Sequence, residues 1–342
     1  MRTDSAPGGR RVVTLTANPS LDRTLGLPGP LERGTVARLG ARSSVEPGGK
    51  GVNVSRALAA SGADVVTVLP AADGDPIVVA LQALGLPLST VPVNAPVRTN
   101  YTLTEPDGTT TKLNEPGARL HEQTLAALQA AVWEHAVDAR WVVMSGSLPP
   151  GTPLDWYATL VRALRGTGAR IAVDTSEAPL VALLSAGPDA APDLLKPNTE
   201  ELAQLAGVPE ETLLADPTAM LAAVDSLHAR GVAEVLLTLG GDGALLSTAD
   251  GGRWSARPPR VTVRSTVGAG DCSLAGYVLA DLAGAQPAER LCSAVAYGSA
   301  SAALPGSAVP TAGQVDLAAV EVTAGTPAHA APAGAAPVAG AH

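Results

Sequence analysis

Short β-rich runs alternate with Ala- and Leu-rich stretches at helical spacing through most of this chain. The runs cover residues 11–16, 65–69, 141–144, 170–173, 194–196 and 234–238. Between them, stretches such as 120–136, 154–165 and 218–230 carry apolar residues at helical intervals. Such alternation predicts an α/β fold with a doubly wound, mostly parallel sheet flanked by helices. Hydrophobic residues make up 46% of the 342, yet Phe is absent and aromatics are 2%, so the core must be built from Ala, Val and Leu. Small and branched side chains of this kind suit parallel strands covered on both faces.

One segment breaks the rhythm. Residues 98–104 alternate, with Asn100, Thr102 and Thr104 on one side and Tyr101 and Leu103 on the other. Pro106-Asp107-Gly108 is a turn signature, and 109–113 returns as a second strand. This β-hairpin, joined by 35–45, is expected to form a small β-sheet lid over one edge of a single domain spanning 11–320. The lid as a whole draws on about 18–46 and 90–115. Residues 1–10 and 323–342 are expected to be disordered tails, because they hold too few large apolar side chains to offset their ordering entropy.

The net charge of −9 argues against nucleic acid as a partner, which requires a basic face. The N-terminus lacks the apolar core of a signal peptide, and no run reaches the ~18 apolar residues of a membrane helix. Cys272 and Cys292 fall in helical stretches without a CxxC partner, and the five His are scattered, so free thiols and no structural zinc are expected. These features predict a soluble, cytoplasmic protein without a membrane partner.

Ser265-Thr266-Val267-Gly268-Ala269-Gly270-Asp271 is the sharpest motif. A strand-like run, 260–264, precedes it and a helical run of small residues, 272–283, follows. Gly268, Ala269 and Gly270 let the backbone aim successive N–H groups at one spot, where the helix start adds its positive dipole end. A carboxylate in the first helical turn, Asp271, is then placed to take a proton from an attacking hydroxyl. An ordinary strand-to-helix turn with Asp271 as N-cap accounts for the same residues. Neither GxxxxGK[ST] nor GxGxxG is present; Ser273 stands where the third glycine of the latter belongs.

Four further stretches are weak singly. Gly48-Gly49-Lys50-Gly51-Val52-Asn53 opens a helix, with a cation and an amide within one turn, and also reads as a flexible turn with a solvated lysine. Asn18-Pro19-Ser20-Leu21-Asp22 ends the first strand, where open α/β sheets bind ligands, or forms an Asx-type turn. Lys196-Pro197-Asn198-Thr199-Glu200-Glu201 reads first as a helix cap, with Asn198 as N-cap and Glu201 at the third position. Thr238-Leu239-Gly240-Gly241-Asp242-Gly243 is a glycine turn between strands.

In this order, and with SGSLPPG at 145–151, the set resembles the ribokinase/PfkB superfamily of carbohydrate kinases over about 12–303, and most of all its 1-phosphofructokinase branch. The resemblance implies a ribokinase-like sheet and a lid that excludes water from the reaction. It implies Asp271 as catalytic base and Gly268, Ala269 and Gly270 as the anion hole. Asn198 and Glu201 would organise Mg²⁺ through water, and Lys196, Asn198, Thr238, Gly240 and Gly243 would line ATP. Asp22, Gly48, Gly49, Lys50, Asn53 and Asn100 would hold the sugar, with Arg98, Lys50 and Lys112 on its existing phosphate. A monovalent cation near Ser265 and Val267 is left open, and exposed lid strands are expected to pair two copies into a homodimer. The implied reaction is ATP-dependent phosphorylation of D-fructose 1-phosphate to fructose 1,6-bisphosphate. Tagatose 6-phosphate, fructose 6-phosphate, an unphosphorylated sugar or nucleoside, and a sensor without turnover are the alternatives. The chain departs from the family pattern at Ala71-Ala72-Asp73-Gly74-Asp75-Pro76, at Thr175-Ser176-Glu177, which lacks a usual glycine, and at Glu46-Pro47.

Overall fold

The computed structural model describes residues 10–39 and 43–325. Its first elements are β1 (Arg11–Leu15), β2 (Ser20–Gly26), β3 (Ser43–Gly48), α1 (Lys50–Ala60), β4 (Val65–Pro70), α2 (Pro76–Ala83) and β5 (Leu88–Val91). Next come β6 (Arg98–Thr104), β7 (Thr110–Asn114), α3 (Glu122–Ala136), β8 (Ala139–Ser145), α4 (Trp156–Leu164), β9 (Arg170–Asp174) and α5 (Glu177–Ser185). Then follow β10 (Leu194–Leu195), α6 (Thr199–Ala206), α7 (Glu210–Ala215), α8 (Pro217–Ala229) and β11 (Glu234–Thr238). The last are β12 (Ala244–Thr248), β13 (Arg253–Arg257), α9 (Ala269–Leu282), α10 (Pro287–Ala302) and β14 (Glu321–Ala324).

Ten strands form one sheet in the order β14-β13-β12-β11-β10-β9-β8-β1-β4-β5. From β5 to β11 every pairing is parallel, and β12, β13 and β14 extend the sheet as an antiparallel edge. Alternation along the strands splits the core in two. Val13, Leu15, Val142, Met144, Ile171 and Val173 pack under α3, α4, α5, α6 and α8. Val12, Trp141, Val143 and Ala172 pack under α1, α2, α9 and α10 on the opposite face. Both faces are buried, which is why these strands read as continuous apolar runs. Among the described residues no helix is long and apolar enough to cross a membrane.

A second sheet has the order β3-β2-β6-β7. The expected hairpin is β6 and β7, and β2 falls within the expected 18–46 contribution, but the 35–45 stretch is only in part a strand. Residues 35–39 lie in no strand; β2 and the later-starting β3 complete the sheet. Two other expectations need correction. Residues 260–264 are not a strand: β13 stops at Arg257 before Pro258-Pro259, which cannot donate to a ladder, and the chain is held by Arg264 and Ser265 N–H groups on the Ala302 carbonyl. Thr323 and Ala324 belong to β14, paired with β13, so the chain is ordered past the expected start of the C-terminal tail. Residues 1–9 and 326–342 of the expected tails lie outside the described residues.

Candidate active site

The connections leave β1 in opposite directions, to β4 on one side and eventually to β8 on the other. A crevice opens at such a switch point, beyond the carboxyl ends of the strands. Asn18 follows β1, Ser145 ends β8, Asp174 ends β9 and Lys196 follows β10. The starts of α1 and α9 face the same crevice.

The glycines of the 48–53 stretch serve the protein's own packing. A Cβ on Gly51 would lie 2.4 Å from Thr16 Oγ1 and 2.7 Å from the Leu15 carbonyl, so α1 can seat against the end of β1 only because residue 51 lacks one. A Cβ on Gly48 would collide with the Asp22 carboxylate at 2.2 Å. The side chains of Lys50 and Asn53 are thereby brought into the crevice.

Two lysines and two carboxylates meet there. Lys50 Nζ lies 2.9 Å from Asp174 Oδ1 and Lys196 Nζ lies 3.0 Å from Asp174 Oδ2, with Asp174 wholly buried. Burial works against Asp174's charge, but Lys196 and Lys50 outweigh it and hold the carboxyl below its usual range. Lys50 is likewise disfavoured by burial, yet Asp174 and Asp271 raise its pKa and keep it a cation. Asp271 is different. Burial, followed by repulsion from Asp174, pushes it up to about 6, while Lys50, the Asn53 hydrogen bond and Lys196 pull the other way. Asn53 Nδ2 donates to Asp271 Oδ2 at 2.9 Å.

Asp271 is not the N-cap. Gly268 caps α9 in a left-handed conformation, φ 79°, and Asp271 sits in the first turn. The leading N–H groups of a helix lack intrahelical partners and carry its positive end, although here that of Ala269 donates back to the Thr266 carbonyl at 3.3 Å. A Cβ on Gly270 would stand 3.4 Å from Lys196 Nζ, so backbone donors, the lysine and the Asp271 carboxylate share one locality. Such a group of donors can stabilise an anion beside a proton acceptor.

Asn198 and Glu201 do form the reciprocal cap. Asn198 Oδ1 accepts from the Glu201 N–H at 2.7 Å, and Glu201 Oε2 from the Asn198 N–H at 3.0 Å. Burial raises the Glu201 pKa. Capping engages one Glu201 oxygen, and among the described residues no three His, Cys, Asp or Glu converge as a metal cage. A donor set this sparse suits Mg²⁺, which keeps several waters and takes most remaining ligands from substrate phosphates. Thr238 bridges to Asn198 across the parallel strand ends. Gly243 is fixed by packing, since a Cβ would lie 1.9 Å from the Ala256 carbonyl, whereas Gly240 (φ 59°) faces open space.

On the small sheet, Asn100 Nδ2 and Ser20 Oγ both donate to Asp22 Oδ1, at 3.0 and 2.8 Å. Asn100 Oδ1, Thr16 Oγ1 and Ser145 Oγ are buried without a partner among the described residues, as polar groups awaiting a ligand would be. Arg98 is half-buried, its guanidinium donating to the carbonyls of Glu115 (3.0 Å) and Asn18 (3.3 Å). Lys112 is exposed on β7, in register with Thr102. The residue that motif reading overlooks is Asp174. Its signal was position, as the last residue of a buried apolar strand opening on the crevice. Just beyond it, Glu177 takes φ 56°, the left-handed conformation that favours glycine, at the point where the family glycine is missing.

A profile described as pfkB family carbohydrate kinase matches residues 17–312. A 1-phosphofructokinase of Xanthomonas campestris pv. campestris is 37% identical over 290 residues, covering 82% of this chain and 87% of that protein. Among solved structures, phosphofructokinase-2 from Escherichia coli in complex with potassium has a TM-score of 0.80 at 31% identity, covering 89% of this chain and 96% of that one. The same enzyme in complex with fructose-6-phosphate has a TM-score of 0.77 at 32% identity, over 85% and 93%. With its crevice, its α9 start and this likeness in hand, the chain belongs to the pfkB family of carbohydrate kinases, phosphotransferases that carry a phosphoryl group from ATP to an alcohol.

Proposed function

We propose that the chain phosphorylates D-fructose 1-phosphate at O6, giving fructose 1,6-bisphosphate and ADP. The observation that carries the chemistry is the meeting of the Asp271 carboxylate with the start of α9, beside Lys196. The choice of sugar rests on the 1-phosphofructokinase relative.

In this reading Asp271 takes the O6 proton as the hydroxyl attacks the γ-phosphoryl of ATP. The N–H groups of Gly268, Ala269 and Gly270 hold the charge that develops on the group in flight. Lys196, Thr238 and Gly240 line the nucleotide, and Asn198 and Glu201 would hold Mg²⁺ through water. A Mg²⁺ held there would supply positive charge to offset that of the phosphates. Asp22, Asn53 and Asn100 orient the sugar hydroxyls, with Gly48 and Gly49 behind them. Arg98, Lys50 and Lys112 answer the existing phosphate, Lys112 after the small sheet closes as a lid. Potassium in the Escherichia coli relative supports a monovalent cation near Ser265 and Val267. A cytoplasmic location suits two free thiols, Cys272 and Cys292.

The small sheet also supports a homodimer. Val45, Arg23, Tyr101 and Leu113 form one row across its four strands, and Val45 and Leu113 are more than half exposed. A second copy of this sheet is the natural cover for such a row.

ADP release should be measured with fructose 1-phosphate, tagatose 6-phosphate, fructose 6-phosphate and neutral fructose. Fructose 1-phosphate should give the highest kcat/KM, and Arg98→Ala should raise its KM by about tenfold or more, the scale of a lost charged hydrogen bond. Fructose 6-phosphate, bound by the relative of known structure, is the second reading and wins if it turns over faster. Best turnover on neutral fructose removes the phosphate-binding role of Arg98, and turnover on none favours a sensor.

A further inference from the structure

The base is connected to the small sheet by a chain of side chains. Asn53 Nδ2 donates to Asp271, and the other end of the same amide, Oδ1, lies 3.4 Å from Arg56 Nη1. That Arg56 nitrogen also donates to the Pro47 carbonyl of β3 at 3.1 Å. Arg56 Nη2 is 3.9 Å from Glu46 Oε2 on the same strand, and Glu46 accepts from Ser307 Oγ in the loop after α10. The Arg56 side chain is only 10% exposed. A guanidinium taken out of water needs polar partners, and the ones Arg56 has are one lid strand and one amide, with Nη1 shared between the Pro47 carbonyl and Asn53.

An asparagine amide can face either way, and only one way donates to a carboxylate. A cation at Oδ1 settles the choice: with Arg56 there, Nδ2 must point at Asp271. We propose that Arg56, itself held by Pro47 and Glu46 of β3, is a positioning residue that sets the Asn53 amide and through it the orientation of the catalytic carboxylate. The base would then be set for proton transfer only while β3 occupies its observed place, which links the lid to the chemistry. Glu46-Pro47, a departure from the family pattern, supplies both lid contacts. The inference rests on Asp271 being the base.

Other groups face Asp271 as well. Asp174 at the end of β9, Lys50 on α1 and Lys196 after β10 act on it through charge. Cys272, its helix neighbour, is pushed up to about 12 by burial and stays neutral. None of these depends on Arg56 for its orientation through Asn53, so the relay can be isolated by combining substitutions.

The experiment is a double-mutant cycle on kcat with Arg56→Gln and Asn53→Ala. Arg56→Gln alone should lower kcat about tenfold, inside the ~10²-fold that a small misplacement can cost, with KM for ATP unchanged. The acid limb of its pH–rate profile should move to higher pH, because a turned amide presents oxygen to the carboxylate and favours its protonated form. In the Asn53→Ala background, Arg56→Gln should cost nothing more. Losses that multiply, or an acid limb that stays in place, overturn the relay. Glu46→Gln is the milder companion should Arg56→Gln fold poorly: its smaller loss must also vanish when Asn53 is Ala, and a loss that persists there overturns the relay equally. Asp271→Asn separates the two levels. Full turnover in that variant removes the base itself, whereas an inactive Asp271→Asn with multiplying Arg56 and Asn53 losses leaves the base and removes the relay.

Discussion

A buried carboxyl whose pKa is raised is a liability to the fold and an asset to catalysis. Asp271, at about 6, is ionised at neutral pH in a place that disfavours the charge, first through burial and then through Asp174. Its native pKa lies above the unfolded one, so between about 4 and 6 the native state holds more protons and stability falls as pH rises. Asp271→Asn should therefore raise the melting temperature at pH 7.5, with the gain shrinking as pH falls toward 4, while lowering kcat by at least ~10²-fold. A variant that is both active and no more stable would contradict the assignment on each count. If it is the base, the same carboxylate should give the wild-type kcat/KM an acid limb near pH 6, which a pH–rate profile checks. Asp271 was legible in the sequence because glycines mark its helix start. Asp174 was not: it stands in no glycine-rich motif, and its importance comes from Lys50 and Lys196 converging from α1 and from beyond β10. Spacing along the chain cannot display that convergence.

At the scale of elements, the buried strands and the β6–β7 hairpin were easy to read and the rest of the small sheet was not. β1, β4, β8, β9 and β11 announce themselves as apolar runs because helices cover both of their faces. β2 reads SLDRTLG and is largely half-exposed, so it resembles a turn until β3 and β6 are seen to flank it. The run at 260–264 shows the opposite failure, β-branched residues without a neighbouring strand to pair with. The row of Val45, Arg23, Tyr101 and Leu113 on the small sheet carries the proposed pairing of two copies. Val45→Lys with Leu113→Lys should shift sedimentation from dimer to monomer without unfolding, since both side chains are already more than half in solvent. If the wild-type chain sediments as a monomer at micromolar concentration, the pairing is wrong.

For the molecule as a whole, chemistry and cohesion are placed at opposite ends of one sheet. Arg170 and Asp174 begin and end β9, about 13 Å apart at ~3.3 Å per residue. The far end, with Asp174, holds the crevice. The near end holds a cluster of opposite charges. Arg170 reaches Asp281 and Glu234, both at 2.6 Å, and Arg290 reaches the same two carboxylates at 3.3 and 3.0 Å. Trp141 Nε1 donates to Asp281 at 2.8 Å, and the Arg170 guanidinium lies 4.2 Å over the Trp141 ring. The cluster joins β8, β9 and β11 to α9 and α10, so it ties the helix that carries Asp271 to the strands beneath it. Asp281→Ala leaves Arg170 and Arg290 sharing the Glu234 carboxylate and also removes the ion pair of the half-exposed Arg140, 3.4 Å from Asp281. Breaking a buried charge pair from one side costs about 3–5 kcal/mol, and urea unfolding should lose stability on that scale. The start of α9 lies at the opposite end of that helix and keeps its own contacts with Asn53, so kcat per folded molecule should stay within about twofold of wild type, a limit well below the losses general-base removal brings. A large fall in kcat at full occupancy of the folded state would mean that the charge cluster reaches the base through α9, and the division of labour between the two ends of the sheet would have to be given up.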